Sequence, residues 1–114
     1  MMKDDMVYLG HILDMARRAI NKAKGKKRRD FNRDEDLQII LVHLIQIIGE
    51  AARQVSDTTQ KAYPAIPWEE IIGMRNRIVH NYINIKYEVV WKVVTNDLPP
   101  LVSVLERIIP PDNY

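Results

Sequence analysis

The sequence predicts an all-α fold: a four- to five-helix bundle in a single domain spanning residues 1–114. Three observations carry this. Apolar residues recur at helical spacing along most of the chain. No stretch sustains the period-two alternation of a strand, even where valines gather at 89–94. Gly25, Pro64, Pro67 and Pro110-Pro111 fall between or at the edges of the periodic segments, where they punctuate them.

The first helix is read over residues 4 to about 24. Leu9, Ile12, Leu13, Ala16, Ala19, Ile20 and Ala23 mark one face, and Asp4 and Asp5 suit its N-terminal dipole. Gly25 and a basic run then break it. A second helix spans about 33 to 55, with Asn32 and Glu35 spaced like a capping pair. Between Leu37 and Ile48 only Gln38, His43 and Gln46 are polar, and they share no narrow stripe. A helix that apolar must be covered on more than one side, which predicts a homodimer.

Residues 56–66 read as a connection with room for one helical turn. Pro67 can open the next helix, predicted over 67–81 and carrying Trp68, Ile71, Ile72, Met74, Ile78 and Val79. The last helical region starts near Asn84. It is expected to kink or break near Pro99-Pro100, at Thr95–Leu98, because each proline lacks a donor and crowds the carbonyl four residues back. Leu101, Val102, Val104, Leu105, Ile108 and Ile109 resume the pattern until Pro110-Pro111 ends it.

Composition narrows the function classes. With no cysteine, disulfides and thiolate metal sites are excluded, which fits a reducing cytoplasm. The charged N-terminus is unlike a signal peptide, and no apolar run is long enough to cross a membrane. The net charge of +2 hides an asymmetry: Lys22, Lys24, Lys26, Lys27, Arg28 and Arg29 carry six positive charges over residues 22–29 with no acid among them. Such a run is either a solvated helix connection or a phosphate-binding element. No Glu-x-x-His pair suggests a di-iron bundle, and neither His43 nor His80 precedes the Lys-Gly pair common in phosphotransfer bundles.

Chemistry concentrates in Arg75-Asn76-Arg77-Ile78-Val79-His80-Asn81-Tyr82, a dense polar cluster near a helix end. His11 has no evident partner, and His43 is expected to be buried and hydrogen-bonded within its apolar helix. Asn76 and His80 share a helical face, whereas Arg75 and His80 lie about 140° apart on an ideal helix. They converge only through a long arginine side chain, local unwinding or a second subunit. An imidazole that moves a proton and a guanidinium that holds phosphate suit RNA phosphodiester cleavage without a metal. Both groups could equally cap and pair on a bundle surface.

Arg75-Asn76-x-x-x-His80-x-Tyr82 resembles the R-N-x-x-x-H-x-Y motif of HepT-like HEPN-domain proteins. Tyr8-Leu9-x-His11-Ile12-Leu13, Ile47-Ile48-Gly49-Glu50-Ala51-Ala52, Ile66-Pro67-Trp68 and Thr95-Asn96-Asp97-Leu98-Pro99-Pro100-Leu101 resemble further family blocks, in order, over nearly the whole chain. The resemblance implies a HEPN-type helical dimer with the motifs facing one cleft. It also implies the ribonuclease toxin of a toxin–antitoxin pair, acting on RNA without metal or cofactor. His80 is then the general acid/base, Arg75 holds phosphate and Asn76 positions. Tyr82 accepts AMP from an MntA-type nucleotidyltransferase antitoxin, placing negative charge beside Arg75 and His80. Lys26, Lys27, Arg28, Arg29 and Arg77 are candidate RNA contacts. The competing reading is a non-catalytic HEPN module that binds RNA, nucleotide or antitoxin.

Overall fold

The computed structural model describes residues 3–78 and 84–110, and every regular element among them is helical. Two long helices form the frame: α1 (Lys3–Ala23) and, after the short α2 (Arg28–Asn32), α3 (Glu35–Gln54). Next come α4 (Asp57–Ala62), α5 (Trp68–Ile72) and α6 (Met74–Ile78). The chain closes with α7 (Tyr87–Lys92), a π-helical turn (Val93–Asp97) and α8 (Leu98–Ile108). The all-α bundle read from the sequence is the fold observed.

α1 packs along α3 and against α8, with Leu9, Ile12, Leu13, Ala16 and Ala19 essentially inaccessible to solvent. Gly25 ends this helix as expected, at a φ of +77° that a side chain would disfavour. Beyond it, the basic run is not merely a loop. Residues 28–32 wind into α2 because Asp30 accepts the Lys27 backbone N–H at 2.8 Å and Phe31 is fully buried. Phe31 stacks on Trp91 at 5.1 Å between ring centroids and meets Tyr87 edge-on at 6.2 Å. The cap of α3 therefore moves from the expected Asn32 to Asp34, whose carboxylate accepts the Leu37 N–H at 3.0 Å.

α3 buries Leu37, Leu41, Leu44, Ile45 and Ile48 while leaving Ile39 59% and Ile40 38% exposed. His43 shares that outward side, so the expectation that it is buried fails. A helix apolar all round gives no internal cue to which side faces water. Gly49 lets α5 approach closely: a Cβ there would stand 3.3 Å from the Ile71 carbonyl oxygen. The helix expected over 67–81 divides at Gly73, where a Cβ would meet the Glu69 carbonyl oxygen at 3.0 Å; its predicted end lies outside the described residues.

The start of α1 meets the end of α3 through a buried carboxylate. Asp5 accepts the Ser56 N–H at 2.9 Å, the Ser56 hydroxyl at 2.6 Å and the Thr59 hydroxyl. Those donors, the Ser56 hydroxyl first, hold its carboxyl below the ordinary aspartate range. Ser56 also caps α4 by accepting the Thr59 N–H.

The last helical region begins at α7, later than Asn84, and passes its prolines without stopping. Pro99 and Pro100 offer no donor to the carbonyls before them. The preceding turn widens instead, and the Leu98 N–H reaches back five residues to the Val93 carbonyl. Thr95 adds a bond from its hydroxyl to the Trp91 carbonyl at 2.8 Å. The prolines then occupy the start of α8, where missing donors cost least.

Candidate active site on the α6 helix

α6 is short, and its orientation follows from two residues. Met74 and Ile78 are buried against the core, so Arg75, Asn76 and Arg77 face outward. The first of the motif's polar groups are thus displayed by an element whose other side is anchored. Among the described residues, Arg75 and Asn76 make no side-chain hydrogen bond or ion pair. Arg77 differs: its guanidinium stands 3.7 Å from the Asp97 carboxylate in the π-turn, and both side chains are partly exposed. A groove of about 500 Å³ lies beside this pair, lined by Glu70, Met74, Lys92, Asn96 and Pro100 as well.

The lower end of α6 is tied to the last helical region. The Lys86 backbone N–H donates to the Ile78 carbonyl at 2.7 Å, which brings the start of α7 against the end of α6. His80 and Tyr82, the expected acid/base and AMP acceptor, lie outside the described residues. Of the remaining candidates, Lys26 and Lys27 precede α2 while Arg28 and Arg29 ride on it, all exposed. None of these four side chains is ion-paired among the described residues.

Two features were invisible in the sequence. One is the Arg77–Asp97 pair, which joins residues twenty positions apart and has no local signature. The other is a groove of about 440 Å³ between α1 and α3, lined by Tyr8, His11, His43, Gln46 and Glu50 among others. It draws both remaining histidines to one groove. Among the described residues no three of His, Cys, Asp or Glu gather as metal ligands, and no helix is long and apolar enough to cross a membrane.

A family model described as ribonuclease HepT-like matches residues 12–108. The chain belongs to the HepT-like ribonuclease family. Relatives of this HepT-like chain cover most of its length. One, from Caldanaerobacter subterraneus subsp. tengcongensis and provisionally named an RNase, is 32% identical over 95% of this chain and 96% of its own. Another provisionally named RNase, from Methanocaldococcus jannaschii, is 30% identical over 93% of this chain and 97% of its own. A protein of Thermococcus cleftensis named probable ribonuclease HepT is 33% identical over 69% of this chain and 72% of its own. No solved structure matches the chain significantly.

Proposed function

We propose that this protein is an RNA endonuclease that works without a metal, the toxin half of a toxin–antitoxin pair. The observation that carries the reading is a HepT-like match spanning residues 12–108 together with an outward Arg75-Asn76 pair, without a side-chain partner among the described residues, on an anchored helix. A guanidinium with no carboxylate partner among the described residues can bind a phosphodiester on two oxygens and stabilise the charge that builds as the phosphorus is attacked. His80 moves the proton: it takes one from the ribose 2′-OH or gives one to the departing 5′ oxygen. Asn76 orients the phosphate or the imidazole.

Two copies sharing one cleft would let acid and base come from different chains. The exposed Ile39 and Ile40 of α3 and Val7 of α1 are apolar area that a second copy could cover. Tyr82 is the AMP acceptor for an MntA-type nucleotidyltransferase. A transferred nucleotide beside Arg75 fills the phosphate position and silences the site in the cytoplasm.

The test incubates purified wild type, His80→Ala and Arg75→Ala with total RNA in EDTA. Wild type fragments the RNA and the two variants do not. Equal fragmentation by all three, or none by wild type, ends the enzymatic reading. For the partner, co-incubation with the nucleotidyltransferase and ATP adds AMP-sized mass increments to wild type and none to Tyr82→Phe. An unchanged gain in Tyr82→Phe assigns the acceptor elsewhere.

A further inference from the structure

No local pattern singles out Tyr87, but the structure sets it between the motif helix and the basic helix. It opens α7, directly after Lys86, whose N–H is bonded to the end of α6. The residue is 36% exposed, so part of its surface remains open to solvent. It is not loose: the buried Phe31 of α2 meets it edge-on at an interplanar angle of 64°. Phe31 is itself held by Trp91, one helical turn further along α7, with rings stacked at 29°. Two aromatic contacts thus clamp α2 onto α7.

That clamp fixes the place of the cations. Arg28 and Arg29 precede Phe31 by three and two residues, and both are exposed and without a carboxylate partner among the described residues. Lys86 is exposed on the other side of Tyr87 in sequence. A fixed, exposed aromatic with cations on neighbouring elements is what single-stranded nucleic acid needs: a face for a base and charges for the flanking phosphates. Holding the ring in one orientation beforehand reduces the ordering cost on binding.

We propose that Tyr87 is a base-stacking residue and that α2 is docked beside it to hold the phosphates of the same RNA strand as it leaves α6. This deepens the ribonuclease reading and rests on it for the identity of the ligand. Tyr87 is a binding residue here, separate from the proton-transfer chemistry of the motif.

The experiment measures affinity for a fluorescein-labelled, 2′-O-methyl RNA of mixed sequence, about a dozen nucleotides long, which binds without being cut. Tyr87→Ala weakens binding about tenfold, in the range of one lost base–aromatic stack. Tyr87→Phe recovers most of that affinity, because the ring face remains. Arg28→Glu/Arg29→Glu weakens binding at low salt and flattens the dependence of log Kd on log salt by about one. This pair also decides the matter should Tyr87→Ala lose its cooperative thermal melt. A folded Tyr87→Ala with wild-type affinity, or a charge-reversed pair with unchanged affinity and salt slope, overturns the proposal. Cleavage of total RNA is scored separately on wild type. Cleavage with unaltered binding in the variants removes the platform and keeps the enzyme. Binding that depends on Tyr87 without any cleavage removes the enzyme and keeps the platform.

Discussion

The α1–α4 junction and the α6 helix treat polar groups in opposite ways. At the α1–α4 junction, Asp5 is 3% exposed and each of its oxygens is engaged by Ser56 or Thr59. On α6, Arg75 and Asn76 are exposed and engage nothing among the described residues. Elsewhere no buried side-chain nitrogen or oxygen among the described residues lacks a partner. Where polar groups serve the fold, they are satisfied internally, since an unmet buried group costs about 1–3 kcal/mol. Where they are proposed to serve a ligand, their bonding capacity is kept in reserve.

The sharpest way to break this contrast is Arg75→Ala. It is expected to lower RNA cleavage by about 10²–10³-fold, the effect of losing one transition-state donor. Chemical denaturation should place its stability within about 0.5 kcal/mol of wild type. A large stability loss would make Arg75 a structural residue like Asp5.

Gly49→Val comes next. It forces methyl groups against the Ile71 and Ile72 carbonyls and should cost about 1–3 kcal/mol in urea unfolding. An unchanged midpoint would mean that α5 and α6 are not seated by that close approach.

Ser56→Ala removes the α4 cap and one donor to Asp5, and is expected to cost about 1 kcal/mol without altering the cleavage rate of the folded protein. The same junction predicts a pH dependence. The folded Asp5 carboxyl titrates below its unfolded value of 3.8, so folding favours the charged form. Its contribution is complete above that value and disappears as pH falls through the lower folded one. Thermal melts of wild type and Asp5→Asn should therefore differ near neutrality and converge in strong acid. A gap that persists in acid would deny the carboxylate its role.

The smallest effect belongs to Asp97→Asn. A half-exposed pair at 3.7 Å should contribute less than about 1 kcal/mol to stability by double-mutant cycle with Arg77→Ala. A larger coupling would mean that the π-turn anchors α6.

How much of this was legible in the sequence depends on the range of the interaction involved. α1 was readable to within a residue because its apolar stripe, its acids and Gly25 are all local signals. The polar cluster from Arg75 was likewise readable as a dense run near a helix end, whereas its outward display emerges only from the burial of Met74 and Ile78. α2 was missed because its main stabiliser is Phe31 against two rings about sixty residues away. The shift of the α3 cap from Asn32 to Asp34 has the same origin, as both residue types cap well and only the docking of Phe31 separates them. His43 was misread because a helix rich in isoleucine on every side conceals its own orientation. The prolines announced a disturbance correctly, but whether a helix breaks or widens depends on Leu98 and Leu101 being held in the core.

That widened turn also makes the chain tolerant of one particular change in length. A π-turn accommodates one more residue than an α-turn over the same rise, so it absorbs the offset of about 100° that an added residue would otherwise impose. Deleting a single residue between Val93 and Asp97 would therefore leave Leu98, Leu101 and Leu105 facing the interior, but would return the two prolines to a turn whose carbonyls they crowd. The surplus residue is what lets one continuous helix keep both its buried stripe and its prolines.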